Sequence, residues 1–188
     1  MTTMMQRTSA SSLALAILAI VVPSCTDDSE PPAVGGAADF TFAGTSGSNL
    51  DPSPLPPTEV GVVFKDAASH TRVIGVFAFE PEVDGFRRKA WQLTLSIVGD
   101  PVAGATYTIG TAPGSGSATL GYEQLPTPGS WLSWNATAGS ISVESVSGTT
   151  ATFSFTSIPM VPATGGSGNE ATGNFTFSGT ITVDNVDS

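Results

Sequence analysis

The segment WQLTLSI, residues 91–97, decides the fold because its side chains alternate between apolar and polar at every position. In an extended chain, Trp91, Leu93, Leu95 and Ile97 share one face, and the glutamine, threonine and serine between them share the other. A period of two is typical of a β-strand with one face in a core and one face in solvent, whereas an amphipathic helix has a period of 3.6. The segment therefore predicts a strand of an antiparallel sheet.

The same alternation recurs further along the chain. In residues 139–146, 150–158 and 172–184, isoleucine, valine and phenylalanine alternate with serine and threonine. Residues 73–79 are apolar on both faces, which predicts a more central strand. Turn residues separate the runs, and the dipeptide at 84–85, Asp-Gly, is the strongest hairpin signal.

These patterns predict one all-β domain of about ten strands. Because the strands are serial and their connections short, we expect an antiparallel sandwich or a partly closed barrel. Helical periodicity is absent after the first 24 residues, apart from a single turn expected near residues 66–70. The expected strands are 39–44, 59–64, 72–80, 90–98, 105–110, 117–122, 131–136, 139–146, 150–158 and 172–184.

The charge of the chain argues against nucleic acid as a partner. It carries 16 acidic and 6 basic residues, for a net charge of −10, and one of the basic residues, Arg7, lies in the leader described below. Affinity for nucleic acid comes mainly from Lys and Arg that displace counterions from phosphates. We therefore expect no nucleic-acid binding.

The first 24 residues have the pattern of a signal peptide. Residues 13–22, LALAILAIVV, are uniformly apolar but too short to span a bilayer, which takes about 20 residues. A polar segment that contains Arg7 precedes them, as in the n-region of an export signal. Cys25 is the only cysteine and follows this segment almost directly, so a disulfide within the chain is excluded.

Residues 22–25, VPSC, resemble the lipobox of bacterial lipoproteins. The resemblance implies that the thiol of Cys25 receives diacylglycerol, that fatty acyl chains such as palmitate hold the protein on a membrane, and that Cys25 becomes the mature N-terminus. Thr26 stands where aspartate would favour the inner membrane, so the resemblance favours the outer membrane. Two alternatives remain: cleavage by ordinary signal peptidase with secretion, and an uncleaved anchor.

The domain organisation follows from these segments. Residues 1–24 form the signal peptide, which we expect to be helical. Residues 25–37 contain the lipidated cysteine and a flexible tether that is acidic and rich in proline and glycine. Residues 38–188 form the all-β domain.

Three segments of the domain resemble strands of a family of small uncharacterised β-rich bacterial lipoproteins. They are GATYTI at 104–109, GSISV at 139–143 and TFSFT at 152–156, and the likeness spans roughly residues 72–183. The sequence departs from the pattern at 150–151, where Thr-Ala replaces a usual glycine. The resemblance implies the same fold and an envelope location, and it implies no activity.

The residues that could carry catalysis are sparse. His70 is the only histidine, and Ser69 and Asp66 are its neighbours in a conceivable hydrolase triad. Neighbours on one turn rarely reach triad geometry, and a Gly-x-Ser-x-Gly elbow is absent from the sequence. We therefore expect no enzyme and no cofactor, with His70 in an exposed loop.

Residues 80–89 invite two further interpretations. Acids at alternate positions in 80–85 are similar to the start of a calcium loop, but Trp91 occupies the twelfth position, where a glutamate ligand belongs. We expect a hairpin tip there and no metal. The basic cluster 87–89 either is a solvated loop or contacts anionic headgroups or lipopolysaccharide.

The aromatic residues supply the candidate ligand site. Trp91 is in register with the apolar face and is expected in the core. Trp131 and Trp134 are three residues apart, so on a strand they face opposite sides and one of them is exposed. An exposed tryptophan, joined by Tyr122, would stack on a sugar ring.

The sequence thus predicts a lipid-anchored domain of a bacterial cell envelope with a non-enzymatic binding or structural role. Its partners would be membrane lipid, through Cys25, and a glycan or an envelope protein. A carbohydrate-binding accessory domain is the alternative, and a hydrolase is the third hypothesis.

Overall fold

The computed structural model describes residues 36–110, 114–164, 168–184 and 186, and in these ranges the chain forms ten strands and no helix. The prediction of an all-β domain of about ten strands is confirmed, and each expected strand is present with ends shifted by a few residues. The expected signal peptide, Cys25 and residues 26–35 of the expected tether lie outside the described residues. Gly36 and Ala37 were expected in the tether, but they belong to the first strand, where they pair with Val183 and Thr182. The strands are β1 Gly36–Ala43, β2 Glu59–Asp66, β3 Thr71–Phe79, β4 Lys89–Val98, β5 Thr106–Ile109, β6 Ser117–Gln124, β7 Leu132–Ala136, β8 Gly139–Ser147, β9 Thr150–Pro162 and β10 Phe175–Val183.

All ten strands belong to one sheet with the order β1-β10-β9-β8-β5-β6-β4-β3-β2, and β7 pairs with both β6 and β9. The expectation of a wholly antiparallel arrangement needs one correction, because β5 and β6 are parallel. Only Thr108 and Ile109 of β5 pair with β6, whereas all of β5 pairs antiparallel with β8. The direction of this short strand is therefore set by β8.

The sheet is curled so that its terminal strands approach each other. A Cβ atom added at Gly36 in β1 would lie 2.9 Å from the Cβ atom of Val60 in β2. The inward side chains of the strands fill one continuous core. Its largest fully buried members are Trp91, Trp134, Tyr122, Phe153, Phe177, Ile74, Leu93, Leu95, Ile97, Leu120, Ile141 and Ile158.

Phe177 of β10 is the centre of the aromatic core. Its ring centroid lies 5.2 Å from that of Phe40 and 5.0 Å from that of Phe42, both in β1. The rings of Tyr122 in β6 and Phe155 in β9 lie at 5.7 Å and 5.2 Å. One side chain therefore joins rings from strands that are far apart in the sequence, at separations typical of favourable aromatic pairs.

The proline-rich connection between β1 and β2 is held to this core by buried polar groups. The Trp91 indole N–H donates to the Leu55 carbonyl at 2.7 Å. The Gln124 amide donates to the Asp51 carbonyl at 2.8 Å and accepts from the Asp51 N–H at 2.9 Å. The same amide donates to the Tyr122 hydroxyl, and burial raises the pKa of that hydroxyl far above its ordinary value.

We predict that Phe177→Ala lowers the free energy of unfolding by about 3–5 kcal/mol, because it removes the shared ring and leaves a cavity. Phe86→Ala is the matched control, since that side chain is 81% exposed and its loss should change stability by no more than about 0.5 kcal/mol. Urea unfolding of both variants measures the difference. Equal destabilisation by the two substitutions would contradict the packing described here.

Candidate functional site

Polar residues form two cross-strand rows on the outer face of β4, β6 and β7. On β4 and β6 this face is directed outward, because its residues alternate with buried ones such as Leu93 and Tyr122, whereas Ser133 on β7 is itself buried. The pairing registers place three residues in each row. The rows are Gln92, Glu123 and Ser133, and Thr94, Gly121 and Asn135, and together these six residues are called the polar face below.

A depression lies in the second row because its middle residue is a glycine. Its volume is about 470 Å³, and Thr94, Thr119, Glu123 and Asn135 contribute to its walls. A Cβ atom at Gly121 would lie 3.3 Å from Asn135 Oδ1, so a larger side chain there would occupy this space. The depression therefore presents hydroxyl, amide and carboxyl groups around an open floor.

Glu123 is the only acidic residue of the polar face, and its surroundings hold it in place. Gln92 donates a side-chain hydrogen bond to it and in turn accepts one from Lys89 Nζ at 2.6 Å. The side chains of Trp131 and Ser133 also hydrogen-bond to the carboxyl group. Burial raises the pKa of Glu123 above 4.5, and the hydrogen bonds and the charge of Lys89 oppose this rise only in part.

Trp131 is positioned beside Glu123 by the connection between β9 and β10. Asn169 forms a parallel bridge with Trp131, and the next amide, that of Glu170, donates to the Trp131 carbonyl at 3.0 Å. The Asn169 side chain accepts from the Ser133 N–H at 2.9 Å and donates to the Ser133 carbonyl at 3.0 Å. These contacts fix the edge of the polar face that carries the indole.

The three aromatic residues proposed from the sequence do not share one surface. Tyr122 and Trp134 are fully buried, and the Trp134 N–H donates to the Gly173 carbonyl at 3.2 Å while its ring packs edge-on against Phe175. A sugar ring cannot stack on either residue in this structure. Trp131 is partly exposed, so it is the one of the three that a ligand on the polar face can reach.

Glu123, Gln92 and Asn169 are site residues that the sequence interpretation missed. A weak signal is present, because polar residues alternate with apolar ones at 92 and 94, and Thr119 and Glu123 alternate with Leu120 and Tyr122. That alternation indicates an outward face but not which strands are neighbours. The cross-strand rows depend on the pairing of β4 with β6 and of β6 with β7.

The residues considered for a hydrolase lie at the other end of β3 and β4, and they are divided between two groups. The Ser69 hydroxyl donates to Asp66 Oδ2 at 2.6 Å, and this hydrogen bond lowers the pKa of Asp66. The exposed His70 instead faces Asp100, with Nδ1 3.7 Å from Oδ1. Asp100 is bound more closely by Arg72, at 2.8 Å, and that hydrogen bond lowers its pKa.

The segment considered for calcium is the hairpin between β3 and β4. Glu80 forms an ion pair with Arg88, whose hydrogen bond lowers the pKa of the carboxyl group. Across the described residues, His, Cys, Asp and Glu side chains form no group of three or more suited to a metal ion. The same residues include no helix with the length and hydrophobicity needed to cross a membrane.

Comparisons with known protein families, with curated proteins and with solved structures found no match to this chain.

We predict that Glu123 titrates above 4.5 in the folded protein. Between 4.5 and its raised pKa, the folded state binds more protons than the unfolded chain, so the Glu123 contribution to unfolding free energy falls as pH rises through this window. Glu123→Gln should flatten that part of the stability curve. Carboxyl-carbon NMR titration, with the variant assigning the resonance, measures the pKa directly.

A second variant, Trp131→Phe, tests the surroundings of Glu123 in the same titration. It removes the indole hydrogen bond that favours the charged carboxylate, so the pKa of Glu123 should rise further. A Glu123 resonance that titrates at or below 4.5 would contradict the described surroundings, as would an unchanged pKa in the Trp131 variant.

Proposed function

We propose that this chain is an exported bacterial lipoprotein, anchored through acylated Cys25, whose all-β domain has a binding role at the cell envelope. The observation that carries the proposal is that the only cysteine follows directly behind the only long apolar run, in the sequence VPSC. Two or three acyl chains contribute about 0.8 kcal/mol per buried methylene, enough for stable membrane attachment. The residue after Cys25 favours the outer membrane as the destination.

The tether suits a domain that works close to a membrane. Residues 26–35, which precede β1, are rich in acidic residues and proline, and a loose coil of that length spans roughly 17 Å. That distance is enough to hold the folded domain above the lipid headgroups. The anchor would thereby limit where the domain acts, and the surface of the domain would determine what it binds.

We predict that metabolic labelling with an alkyne fatty acid tags the wild-type protein and that Cys25→Ser abolishes the label. The serine hydroxyl cannot form the thioether, so the precursor should also accumulate uncleaved. Mass spectrometry of the mature N-terminus then gives the acyl chains on Cys25. An unmodified thiol at that position in the matured protein, or cleavage elsewhere, would contradict the anchor.

Carbohydrate is the ligand class that we propose for the polar face. The supporting observation is the combination of a partly exposed Trp131 with a depression that presents hydroxyl, amide and carboxyl groups. A sugar offers one apolar face for stacking and a rim of hydroxyls for hydrogen bonding, and this surface has a complementary group for each. The carboxyl group of Glu123 would accept from sugar hydroxyls.

We predict that Trp131→Ala and Gly121→Leu each weaken glycan binding by about tenfold or more, the first by removing the stacking surface and the second by filling the depression. Val102→Ala, an exposed apolar position on a separate loop, should bind as the wild type does. Glycan arrays followed by calorimetry on the strongest ligand measure the effect. Binding that survives both substitutions would remove the polar face as the glycan site.

A further inference from the structure

The hairpin between β3 and β4 holds two exposed apolar side chains side by side. Val83 and Phe86 exchange both backbone hydrogen bonds, at 3.0 Å and 2.9 Å, and between them Asp84 and Gly85 have φ angles of 52° and 78°. Positive φ at both central residues is the geometry of a tight two-residue turn whose twist matches the strands. Val83 is 67% exposed and Phe86 is 81% exposed, so the fold presents this apolar pair at its tip.

A second group of apolar side chains lies on the outer surface of β3 and of its neighbour β2. The ring centroids of Phe77 and Phe79 are 6.3 Å apart. A Cβ atom on Gly75 would touch both the Phe77 ring and a methyl group of Val63, so these two side chains meet over the glycine. Phe77, Phe79, Val63 and the tip pair are called the hairpin surface below.

Cationic side chains cover the two outward aromatic rings. Lys89 Nζ lies 5.2 Å from the centroid of the Phe77 ring, and Arg87 Cζ lies 4.8 Å from that of Phe79. Arg87 also pairs with Glu59 at 3.2 Å. An aromatic ring under a long basic side chain is a combination suited to a lipid interface, where the ring reaches the acyl boundary and the charge stays with the headgroups.

The charge distribution distinguishes this side of the domain from the rest. Residues 80–89, the hairpin itself, carry three of the five Lys and Arg of the described chain, and these are balanced by Glu80, Glu82 and Asp84. The other described residues carry nine acids and only Lys65 and Arg72, which lie at the opposite ends of β2 and β3. The nine acids are Asp39, Asp51, Glu59, Asp66, Asp100, Glu123, Glu144, Glu170 and Asp184. An anionic surface would repel most of the domain but not the hairpin side.

We propose that the hairpin surface docks on an anionic phospholipid bilayer, with Val83 and Phe86 inserted at the headgroup level and Arg87 and Lys89 bound to lipid phosphates. The inference rests on the proposed lipid anchor, which brings the domain within reach of the bilayer. Lipid phosphates would repel the acidic part of the domain, and the bilayer would bury Val83 and Phe86. Both effects favour the orientation in which the hairpin faces the membrane.

The test uses the mature lipidated protein reconstituted in vesicles of phosphatidylethanolamine and phosphatidylglycerol. Acylated Cys25 has no free thiol, so Phe86→Cys introduces a single site for an NBD fluorophore. We expect a blue-shifted emission that brominated lipids quench. Val102→Cys is the matched control, because this residue is 62% exposed and lies beyond the opposite end of β4, and its label should remain in water.

Two further experiments test the role of Arg87 and Lys89 and the alternative that a second copy of the chain covers the hairpin surface. Arg87→Gln combined with Lys89→Gln should lower the ratio of docked to undocked domain by about fivefold for each lost cation. Equal insertion into vesicles of phosphatidylcholine alone would overturn the role of anionic lipid. A blue shift that disappears when the protein-to-lipid ratio is lowered would indicate a second copy of the chain and would overturn membrane docking.

The anchor and the docking surface can fail separately. Wild-type protein whose Cys25 reacts with the thiol-reactive NBD reagent has a free thiol there, and that result would contradict the anchor. Docking is then measured with Cys25→Ser/Phe86→Cys protein added to the same vesicles, where the blue shift at position 86 is still expected. The absence of a shift at position 86, or equal shifts at 86 and 102, would overturn the docking surface even if Cys25 is fully acylated.

Discussion

The packing of rings around Phe177 is the constraint on which the rest of the structure depends. This residue lies on β10, near the end of the chain, and it contacts Phe40 and Phe42 on the first strand. Aromatic side chains bury a large area each, and close pairs contribute further through ring geometry. The strands of Phe40, Phe42 and Phe155 flank β10, but Tyr122 lies on β6, which is not a neighbour of β10 in the sheet. The contact between the Phe177 and Tyr122 rings therefore requires the sheet to curl.

The alternation of side chains was sufficient to place the strands but not to pair them. Alternation is local information, and in β4 it separates Trp91 and Leu93 from Gln92 without reference to any neighbour. The polar face is not local: Gln92 and Glu123 are 31 residues apart and meet because β4 pairs with β6. For the same reason, the spacing of Trp131 and Trp134 predicted opposite faces but could not say that Trp134 faces the core, where its ring packs against Phe175 of β10.

The domain has two outer surfaces with different chemistry, and β4 contributes to both. Around Gln92 and Thr94 the surface is polar, with one carboxyl group whose pKa burial raises. At the β3–β4 hairpin it is apolar and carries cations that cover aromatic rings. In the proposed arrangement the second surface would lie against lipid, which would leave the first open to a soluble ligand.

The pairing of β1 with β10 has a consequence for how such a chain acquires its shape. Gly36 pairs with Val183, so the opening strand of the domain is completed by the closing one. For a chain that leaves the cytoplasm with its N-terminus first, Phe40 and Phe42 emerge long before the residues that will cover them. Contacts so distant in sequence form slowly. In the proposed export, the architecture would delay its own closure until β10 has crossed the membrane, and the chain would stay unfolded while it passes.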